Sequence, residues 1–242
     1  MNRRFFSPTP LQTGPLQLTG TEAHHLLHVL RATAGDEIVL FDGTGSEFPA
    51  RIESTDRKTV TCQILRRRTV DRELSAELVL GVALPKGERQ RWLIEKATEL
   101  GVARLVPIET SRSTQQLAKQ QRANRSRDRL QRTVIEACKQ CGRNQLMDIN
   151  PTSSLQEFLR AAPVASQRWM AHPQGDSSAA ERPKTDIDSP TWLLVGPEGG
   201  FSENETAQAR TEGWQTIDLG PRILRVETAA VALTSLATLQ TG

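Results

Sequence analysis

Two glycine-bearing turns near the C-terminus constrain the fold of this chain more than any other feature. The first lies in Trp192–Glu205 (WLLVGPEGGFSENE) and the second in Leu219–Leu233 (LGPRILRVETAAVAL). Each segment reads as an apolar strand, a turn and a helix start, and Ser202 and Glu205 have the spacing of a capping box. Such turns expose backbone N–H groups that suit a polar or anionic ligand. We therefore expect both turns to line one small-molecule pocket at the strand ends of an open α/β sheet.

The composition is that of a globular protein. With 242 residues, 37% hydrophobic and 24% charged, the chain can hold one large or two modest domains. No apolar run has the length of a membrane span, the N-terminus has no apolar signal region, and the three cysteines are an odd count. We expect a cytoplasmic protein without membrane association or a disulfide framework. The net charge of +3 permits a polyanionic partner without requiring one.

Residues 1–72 predict a small β-rich domain, a type that often binds nucleic acid. A helix is predicted over 21–31, with Ala23, Leu27 and Leu30 on one face, and 66–73 read as a linker. The predicted strands are 38–41, 48–53 and 60–65.

Residues 73–242 show strand–helix alternation, which predicts a mostly parallel α/β sheet. The predicted strands are 77–84, 103–108, 145–149, 167–171, 192–195 and 216–219. The predicted helices are 88–100, 130–141, 154–161 and 226–239, and the polar stretch 173–190 reads as a loop.

The first glycine turn matches no common nucleotide motif. Gly196–Gly200 (GPEGG) lacks the GK[ST] of a P-loop and the G-x-G-x-x-G of a dinucleotide site. Charged residues accompany both turns, namely Glu198, Arg222, Arg225 and Glu227. Charges beside tight turns are more typical of a functional site than of plain connections, although plain connections stay the alternative.

A basic cluster precedes and enters the predicted helix 130–141. Its members are Lys119, Arg122, Arg125, Arg127, Arg129 and Arg132, opposed only by Asp128. Arginine suits phosphate groups, so this dominance of one sign favours RNA contact over a merely solvated face. The histidines at 24, 25 and 28 lack companion ligands, and the lone C-x-x-C at Cys138–Cys141 lies at a helix end. We expect no metal site and core packing of the cysteines.

Five segments, taken in order, carry a resemblance to a known family. They are HHLLHVLR, IEKATELGV, EACKQCGR, GPEGGFS and LGPRILRVETAA, and their spacing covers almost the whole chain. Together they resemble the ribosomal RNA small-subunit methyltransferase E family, of the SPOUT class of S-adenosylmethionine-dependent methyltransferases. The resemblance implies an N-terminal PUA-like β-barrel and a C-terminal SPOUT α/β domain with a C-terminal trefoil knot. It also implies a homodimer that methylates N3 of a uridine in small-subunit (16S) ribosomal RNA.

The same resemblance implies a binding site for S-adenosylmethionine, built from three segments. Its residues would be Met170, His172, Pro173, Val195, Gly196, Pro197, Glu198, Gly199, Gly200, Leu219, Gly220, Pro221, Ile223, Leu224, Arg225, Glu227, Thr228 and Ala229. The basic cluster and the N-terminal domain supply the RNA-binding candidates. These are Arg3, Arg4, His25, Arg31, Arg122, Arg125, Arg129, Arg132 and Arg143.

Methyl transfer to a uracil N3 requires loss of the N3 proton and stabilisation of the charge that develops on the base. Arg225 is the predicted electrostatic stabiliser. Glu227 and Glu198 compete for the role of general base or of hydrogen-bonding partner to the donor. The alternative is that Arg225 and Glu227 only pair with each other or cap the last helix.

Two other functions stay open on the residues alone. One is a SPOUT enzyme that acts on another RNA or on a ribose 2′-hydroxyl. The other is a non-catalytic RNA-binding assembly factor, against which the intact GPEGG turn and the Arg225/Glu227 pair argue.

Overall fold

The computed structural model describes residues 3–112, 120–173, 175, 177–178 and 188–239, without the side chains of 120–126 and 177–178. Its contacts divide the chain into two units. The first consists of Met1–Glu73 and Ile135–Leu146, and the second of Leu74–Val134 and Met147–Gly242. The first unit therefore contains a segment, 135–146, that the sequence prediction assigned to the second domain.

The first unit is built on a six-stranded sheet of order β1-β3-β4-β5-β2, with β6 beside β4. The strands are β1 (Arg4–Phe6), β2 (Gly14–Leu18), β3 (Glu37–Phe41), β4 (Ser46–Thr55), β5 (Val60–Ile64) and β6 (Arg68–Thr69). Only the β1–β3 pair is parallel among these. The alternation of burial along β5, where Val60, Cys62 and Ile64 are buried, is the period expected of a strand with one face on a core.

The predicted helix over 21–31 is wrong in its second half. An α-helical turn, α1 (Gly20–His24), gives way to a π-helical turn at His25–Val29, in which Leu30 N–H donates to His25 C=O. The wider turn places Leu26 in the core beside Ala23, while Leu27 and Leu30 are only partly buried.

Three short strands of the first unit escaped prediction, whereas the bounds of β3, β4 and β5 lie within two residues of their predicted ranges. β1 has too few residues to show a period, β2 contains Gly14 and Pro15 and has only one buried residue, and β6 falls in the predicted linker. Each is stabilised by pairing with a distant strand, which local sequence cannot reveal.

The second unit is an eight-stranded sheet of order β10-β8-β7-β13-β11-β14-β12, with β9 beside β8. Every strand pair of this sheet is parallel, as the alternation of strands and helices predicts. Its strands are β7 (Leu78–Val82), β8 (Arg104–Glu109), β9 (Asp148–Ile149), β10 (Ser153–Ser154), β11 (Gln167–Ala171), β12 (Ser177–Ser178), β13 (Thr191–Val195) and β14 (Gln215–Asp218).

Five further helices lie within the described ranges, and the residues of α3 belong to both units. They are α2 (Glu88–Glu99), α3 (Gln120–Cys141), α4 (Leu155–Ala161), α5 (Glu203–Thr211) and α6 (Val226–Thr238). α3 starts ten residues before its predicted range, because its N-terminal turns are polar and carry no apolar stripe. Gly101 and Gly142 follow α2 and α3 with φ of 86° and 90°, the left-handed conformation that ends a helix.

The central strands β7 and β13 are buried on both faces, which explains their continuous apolar runs. Phe158 of α4 packs in this core between Trp192 and Trp214, with ring centroids 5.1 and 5.7 Å away. Of the helices in the described ranges, none combines the length and apolar character needed to cross a membrane.

Gly81→Ala tests the packing of α4 against β7. A Cβ at Gly81 would lie 2.4 Å from the Phe158 ring, so the ring or the strand must shift. We expect a loss of about 1–3 kcal/mol in the free energy of unfolding, as for other overpacked cores. Urea unfolding of the variant and the parent protein measures this, and an unchanged midpoint would show that the ring has room to move.

Candidate active site

Three neighbouring parallel strands end at one edge of the second unit's sheet. β11 lies between β13 and β14, with Met170 paired to Leu194 on one side and to Thr216 on the other. His172 N–H then donates to Ile217 C=O at 3.0 Å. Because the strands are parallel, the segments that leave them, 170–173, 195–200 and 219–229, all start at this edge. The sequence pattern predicts this position for a ligand site.

The first glycine turn is closed by a hydrogen bond from Gly200 N–H to Pro197 C=O, at 2.8 Å. Gly200 has φ of 66°, which favours glycine, and a Cβ at Gly196 would approach the Phe201 ring to 2.9 Å. No described residue accepts a hydrogen bond from the N–H groups of Glu198 and Gly199. The turn therefore presents unpaired backbone donors, which suit the polar atoms of a ligand.

The capping box predicted at the start of α5 is present. The Ser202 hydroxyl accepts from Glu205 N–H, and the Glu205 carboxylate accepts from Ser202 N–H at 2.8 Å. Glu205 also accepts from Ser111 N–H at 2.8 Å. Burial alone would raise the pKa of Glu205, but the backbone hydrogen bonds from Ser202 and Ser111 outweigh it and lower this pKa below its ordinary value.

Arg225 is the N-cap residue of α6, and its side chain makes no capping hydrogen bond. It is exposed, and in the part of the chain that the structure describes no ion pair joins it to Glu227. The alternative in which Arg225 and Glu227 pair with each other is therefore not the arrangement found.

Glu227 instead lies near Arg89 of α2, a residue that the sequence analysis missed. One Arg89 guanidinium nitrogen, Nη1, lies 3.2 Å from Glu198 Oε1 and 4.0 Å from Glu227 Oε2. Glu227 is 7% exposed, and its buried Oε2 has no hydrogen-bond partner among the residues that the structure describes. A buried carboxylate oxygen without a partner is costly, which is typical of an atom that binds a ligand.

A cavity of about 560 Å³ adjoins these charges. Its lining residues are Glu88, Arg89, Trp92, Ile223, Leu224, Arg225, Glu227 and Thr228. The last five belong to the predicted site, whereas the first three come from α2. The sequence predicts α2 from the apolar residues of its buried face. Glu88, Arg89 and Trp92 lie on the exposed side of its first turns. Only the tertiary position of α2 beside α6 could have identified them.

The other predicted donor-binding residues vary in exposure. Met170, Val195 and Gly196 are buried, Pro197, His172, Leu219 and Ala229 are half-buried, and Pro173, Gly220, Pro221 and Ile223 are exposed. His172 Nδ1 is buried, and no hydrogen-bond partner for it lies in the described ranges, so the 170–173 segment also presents a polar atom that a ligand could bind. Gly220 N–H donates to Asp218 Oδ1 at 2.8 Å, which shapes the start of the second turn.

The predicted RNA-binding residues fall into three groups. Arg31, Arg129 and Arg132 are exposed. Arg3 pairs with Asp36 at 3.1 Å, and half-buried His25 packs edge-on against Phe5. The side chains of Arg122 and Arg125, like all of Lys119, lie outside the described residues.

Arg4 and Arg143 are corrections to the RNA-binding set, because both are buried within the first unit. Arg4 donates to Glu47 at 3.0 Å and to the Asn144 side chain at 2.6 Å, and Arg143 pairs with Glu73. Their side chains are 2% and 5% exposed. Buried arginines need such partners, so these two residues stabilise the unit and present no charge to RNA.

A metal site and a reactive thiol each place requirements on the described residues. No group of three or more potential metal-ligating side chains comes together there. Burial raises the pKa of the Cys138 thiol to about 12, so it is protonated at neutral pH and packs in the core.

Comparisons with known proteins agree with this geometry. Residues 72–238 match the model of an RNA methyltransferase domain, and residues 18–65 match that of an RNA methyltransferase PUA domain. The chain is 31% identical over 250 residues to ribosomal RNA small subunit methyltransferase E of Bacillus subtilis, covering 100% of this chain and 97% of the relative.

Two solved structures are similar over nearly their whole length. A putative methyltransferase from Legionella pneumophila, in complex with S-adenosylmethionine, has a TM-score of 0.89 at 32% identity and covers 99% of this chain and 98% of its own. Ribosomal RNA small subunit methyltransferase E from Neisseria gonorrhoeae, also bound to S-adenosylmethionine, has a TM-score of 0.85 at 30% identity, covering 97% and 96%.

Glu205→Gln tests the electrostatic role of the capping box. Because the folded-state pKa of Glu205 is lowered, its charge stabilises the fold above the ordinary glutamate pKa, and this stabilisation is lost as the pH falls through the folded-state value. Gln can still accept the capping hydrogen bonds, so we expect a loss of about 0.3–1 kcal/mol at pH 7, typical of a negative charge lost at a helix N-terminus, that shrinks toward zero in acid. Urea unfolding across this pH range measures it.

Glu203→Gln is the matched control, because Glu203 lies in the same helical turn and is exposed. If both variants lose the same free energy of unfolding at pH 7, the effect comes from negative charge anywhere at the helix start and not from the capping box.

Proposed function

We propose that this chain, which belongs to the ribosomal RNA small-subunit methyltransferase E family, transfers the methyl group of S-adenosylmethionine to N3 of a uridine in 16S ribosomal RNA. Membership rests on the matched RNA methyltransferase domain, which spans more than half of the chain, and on full-length relatives. The chain is thus an RNA methyltransferase of the small-subunit ribosomal type. The donor, the modified atom and the roles of individual residues are the proposal.

One observation carries the proposal. Arg89 connects the first glycine turn with the start of α6, because it contacts Glu198 of the turn and Glu227 of the helix that follows the second turn, beside the cavity. The catalytic candidates thus converge on a single site large enough for a nucleoside-sized ligand.

The residues present fit S-adenosylmethionine. The unpaired N–H groups of Glu198 and Gly199 suit polar acceptor atoms, and the buried Glu227 Oε2 can accept from a hydroxyl or amino group. Trp92 and Leu224 supply apolar surface in the cavity. When bound, the donor supplies a methyl group on a positively charged sulfur, which a nitrogen displaces directly.

The charged side chains then have defined tasks toward the base. Arg225, exposed and free of an ion pair with any described residue, stabilises the negative charge on the uracil carbonyls as the N3 proton leaves. Glu198 and Glu227 are the two candidate bases, and Arg89 Nη1 lies 3.2 Å from the first carboxylate and 4.0 Å from the second. Their environments differ, since the Glu198 side chain is 58% exposed and the Glu227 side chain 9%. Glu198 is therefore the more accessible to an incoming nucleotide.

RNA contact is proposed for the exposed arginines Arg31, Arg129 and Arg132, together with Arg3, His25, Arg122 and Arg125. Phosphate contacts by such residues orient an RNA without specifying its sequence. The match of residues 18–65 to a PUA domain supports closure of the first unit's sheet into a barrel that grips RNA. A substrate of this kind also agrees with a cytoplasmic location.

A trefoil knot and a homodimer complete the proposal. The last strand, β14, pairs with β11 although β13 precedes it in the chain, so the C-terminal segment crosses over, as a knot requires. Ile223 is 92% exposed and Trp92 41%, and both line the cavity. Apolar side chains so exposed beside a ligand site support a second copy of the chain that covers them.

Arg225→Ala should abolish turnover while binding of S-adenosylmethionine persists within a few-fold. The reason is that the guanidinium acts on charge that develops only in the transition state, and removal of such a group costs about 100–1,000-fold in kcat. Single-turnover methylation of small-subunit RNA with labelled donor measures the first effect, and calorimetry the second. Retained turnover would exclude Arg225 from catalysis.

Mass spectrometry of ribosomal RNA from cells with and without the gene tests the target atom. We expect one methylated uridine of the small subunit, modified at N3, to lose its methyl group when the gene is deleted. Loss of a 2′-O-methyl group or of a methyl group on another RNA would contradict the proposed target and identify that group as the product of the enzyme. An unchanged pattern, with no binding of S-adenosylmethionine in calorimetry, would favour the non-catalytic assembly factor.

A further inference from the structure

Arg112 is a charged residue outside the predicted site that contacts the first glycine turn directly. It lies just after β8, and its Nη1 donates to Gly199 C=O at 2.8 Å and to Phe201 C=O at 3.3 Å. Its aliphatic stem also approaches the turn, because a Cβ on Gly199 would lie 3.6 Å from Arg112 Cβ and Cδ.

The contacts of Arg112 complete the hydrogen bonding of two peptide groups, the one between Gly199 and Gly200 and the one between Phe201 and Ser202. In the first, Gly199 C=O accepts from Arg112 and Gly200 N–H donates to Pro197 C=O. In the second, Phe201 C=O accepts from Arg112 and Ser202 N–H donates to Glu205. Because a peptide group is planar, bonding on both sides fixes its orientation.

The neighbouring Ser111 strengthens this arrangement. Its N–H donates to the same Glu205 carboxylate that caps α5, so residues 111 and 112 hold both the turn and the helix start that follows it. The carbonyl groups of Gly199 and Phe201 are thus occupied by Arg112. The N–H groups of Glu198 and Gly199, which no described residue accepts, are left for a ligand.

We propose that Arg112 is a positioning residue that preorganises the Gly196–Gly200 turn for the methyl donor. The inference rests on the proposed function, since it requires that the turn bind S-adenosylmethionine. Without the guanidinium, the peptides of Gly199 and Phe201 gain freedom that donor binding must then remove, and affinity falls. The positive charge of Arg112 makes each of its two hydrogen bonds stronger than a neutral one.

Calorimetric titration of S-adenosylmethionine into the full chain tests this. We expect Arg112→Ala to weaken donor affinity about 10- to 100-fold, the loss typical of a charge-assisted hydrogen bond. Arg112→Lys can bind one carbonyl but not both in a fixed fork. Its affinity for the donor should therefore lie between those of the parent protein and the Arg112→Ala variant. Arg160→Ala is the matched control, because Arg160 is an exposed, ion-paired arginine of the same unit, and it should bind like the parent.

Steady-state kinetics separates positioning from general stability. Arg112→Ala should raise KM for the donor, leave KM for RNA unchanged and recover most of kcat at saturating donor. Arg112→Gln, which keeps a hydrogen-bond donor and most of the stem, provides a second folded variant if the alanine variant unfolds.

Each contrary result has a distinct meaning. Unchanged donor affinity with a lowered melting temperature would make Arg112 a structural residue and overturn the inference, leaving the proposed function intact. A rise only in KM for RNA would make it an RNA contact and overturn the inference as well. Failure of the parent protein itself to bind S-adenosylmethionine would refute both.

Discussion

The parallel pairing of β13, β11 and β14 is the constraint on which the candidate active site depends. These strands are separated in the chain by helices and loops, yet their carboxyl ends lie side by side because all three run in one direction. A slip of register at β11 would displace the 170–173 segment from both glycine turns. The buried apolar residues of β11 and β13 fix that register, so the core of the second unit also determines the geometry of its chemistry.

At the site, the backbone of the first turn supplies hydrogen-bond donors and the side chains supply the charges. The first turn presents N–H groups, while its carbonyls at Gly199 and Phe201 are occupied by Arg112. Arg89 offsets the two carboxylates of Glu198 and Glu227, which would otherwise repel each other near the cavity. Arg225 is left with no such partner among the described residues, and this distinguishes the candidate catalytic arginine from Arg89, which pairs with carboxylates, and from Arg112, which binds carbonyls.

The sequence predicted the parts of the structure that local pattern determines. The glycine turns, the Ser202/Glu205 box, the parallel α/β class and the helix ends at Gly101 and Gly142 all depend on residues close together in the chain. The misses depend on distant contacts. Arg89 and Arg112 resemble any surface arginine until the fold places them beside the turns, and Arg4 and Arg143 resemble RNA ligands until their carboxylate partners are known. Residue type and local charge cannot separate a buried arginine from an exposed one.

The discontinuity of the first unit has a consequence for how the chain is made. Its sheet is finished by Thr69, but Lys139 and Arg143, which pair with Glu22 and Glu73, come some seventy residues later. During translation the early sheet must therefore wait, with two acidic groups lacking their partners, until Leu146 has emerged from the ribosome. A fragment that ends after this sheet would lack these partners permanently. The first unit can therefore be complete only when more than half of the chain has been made.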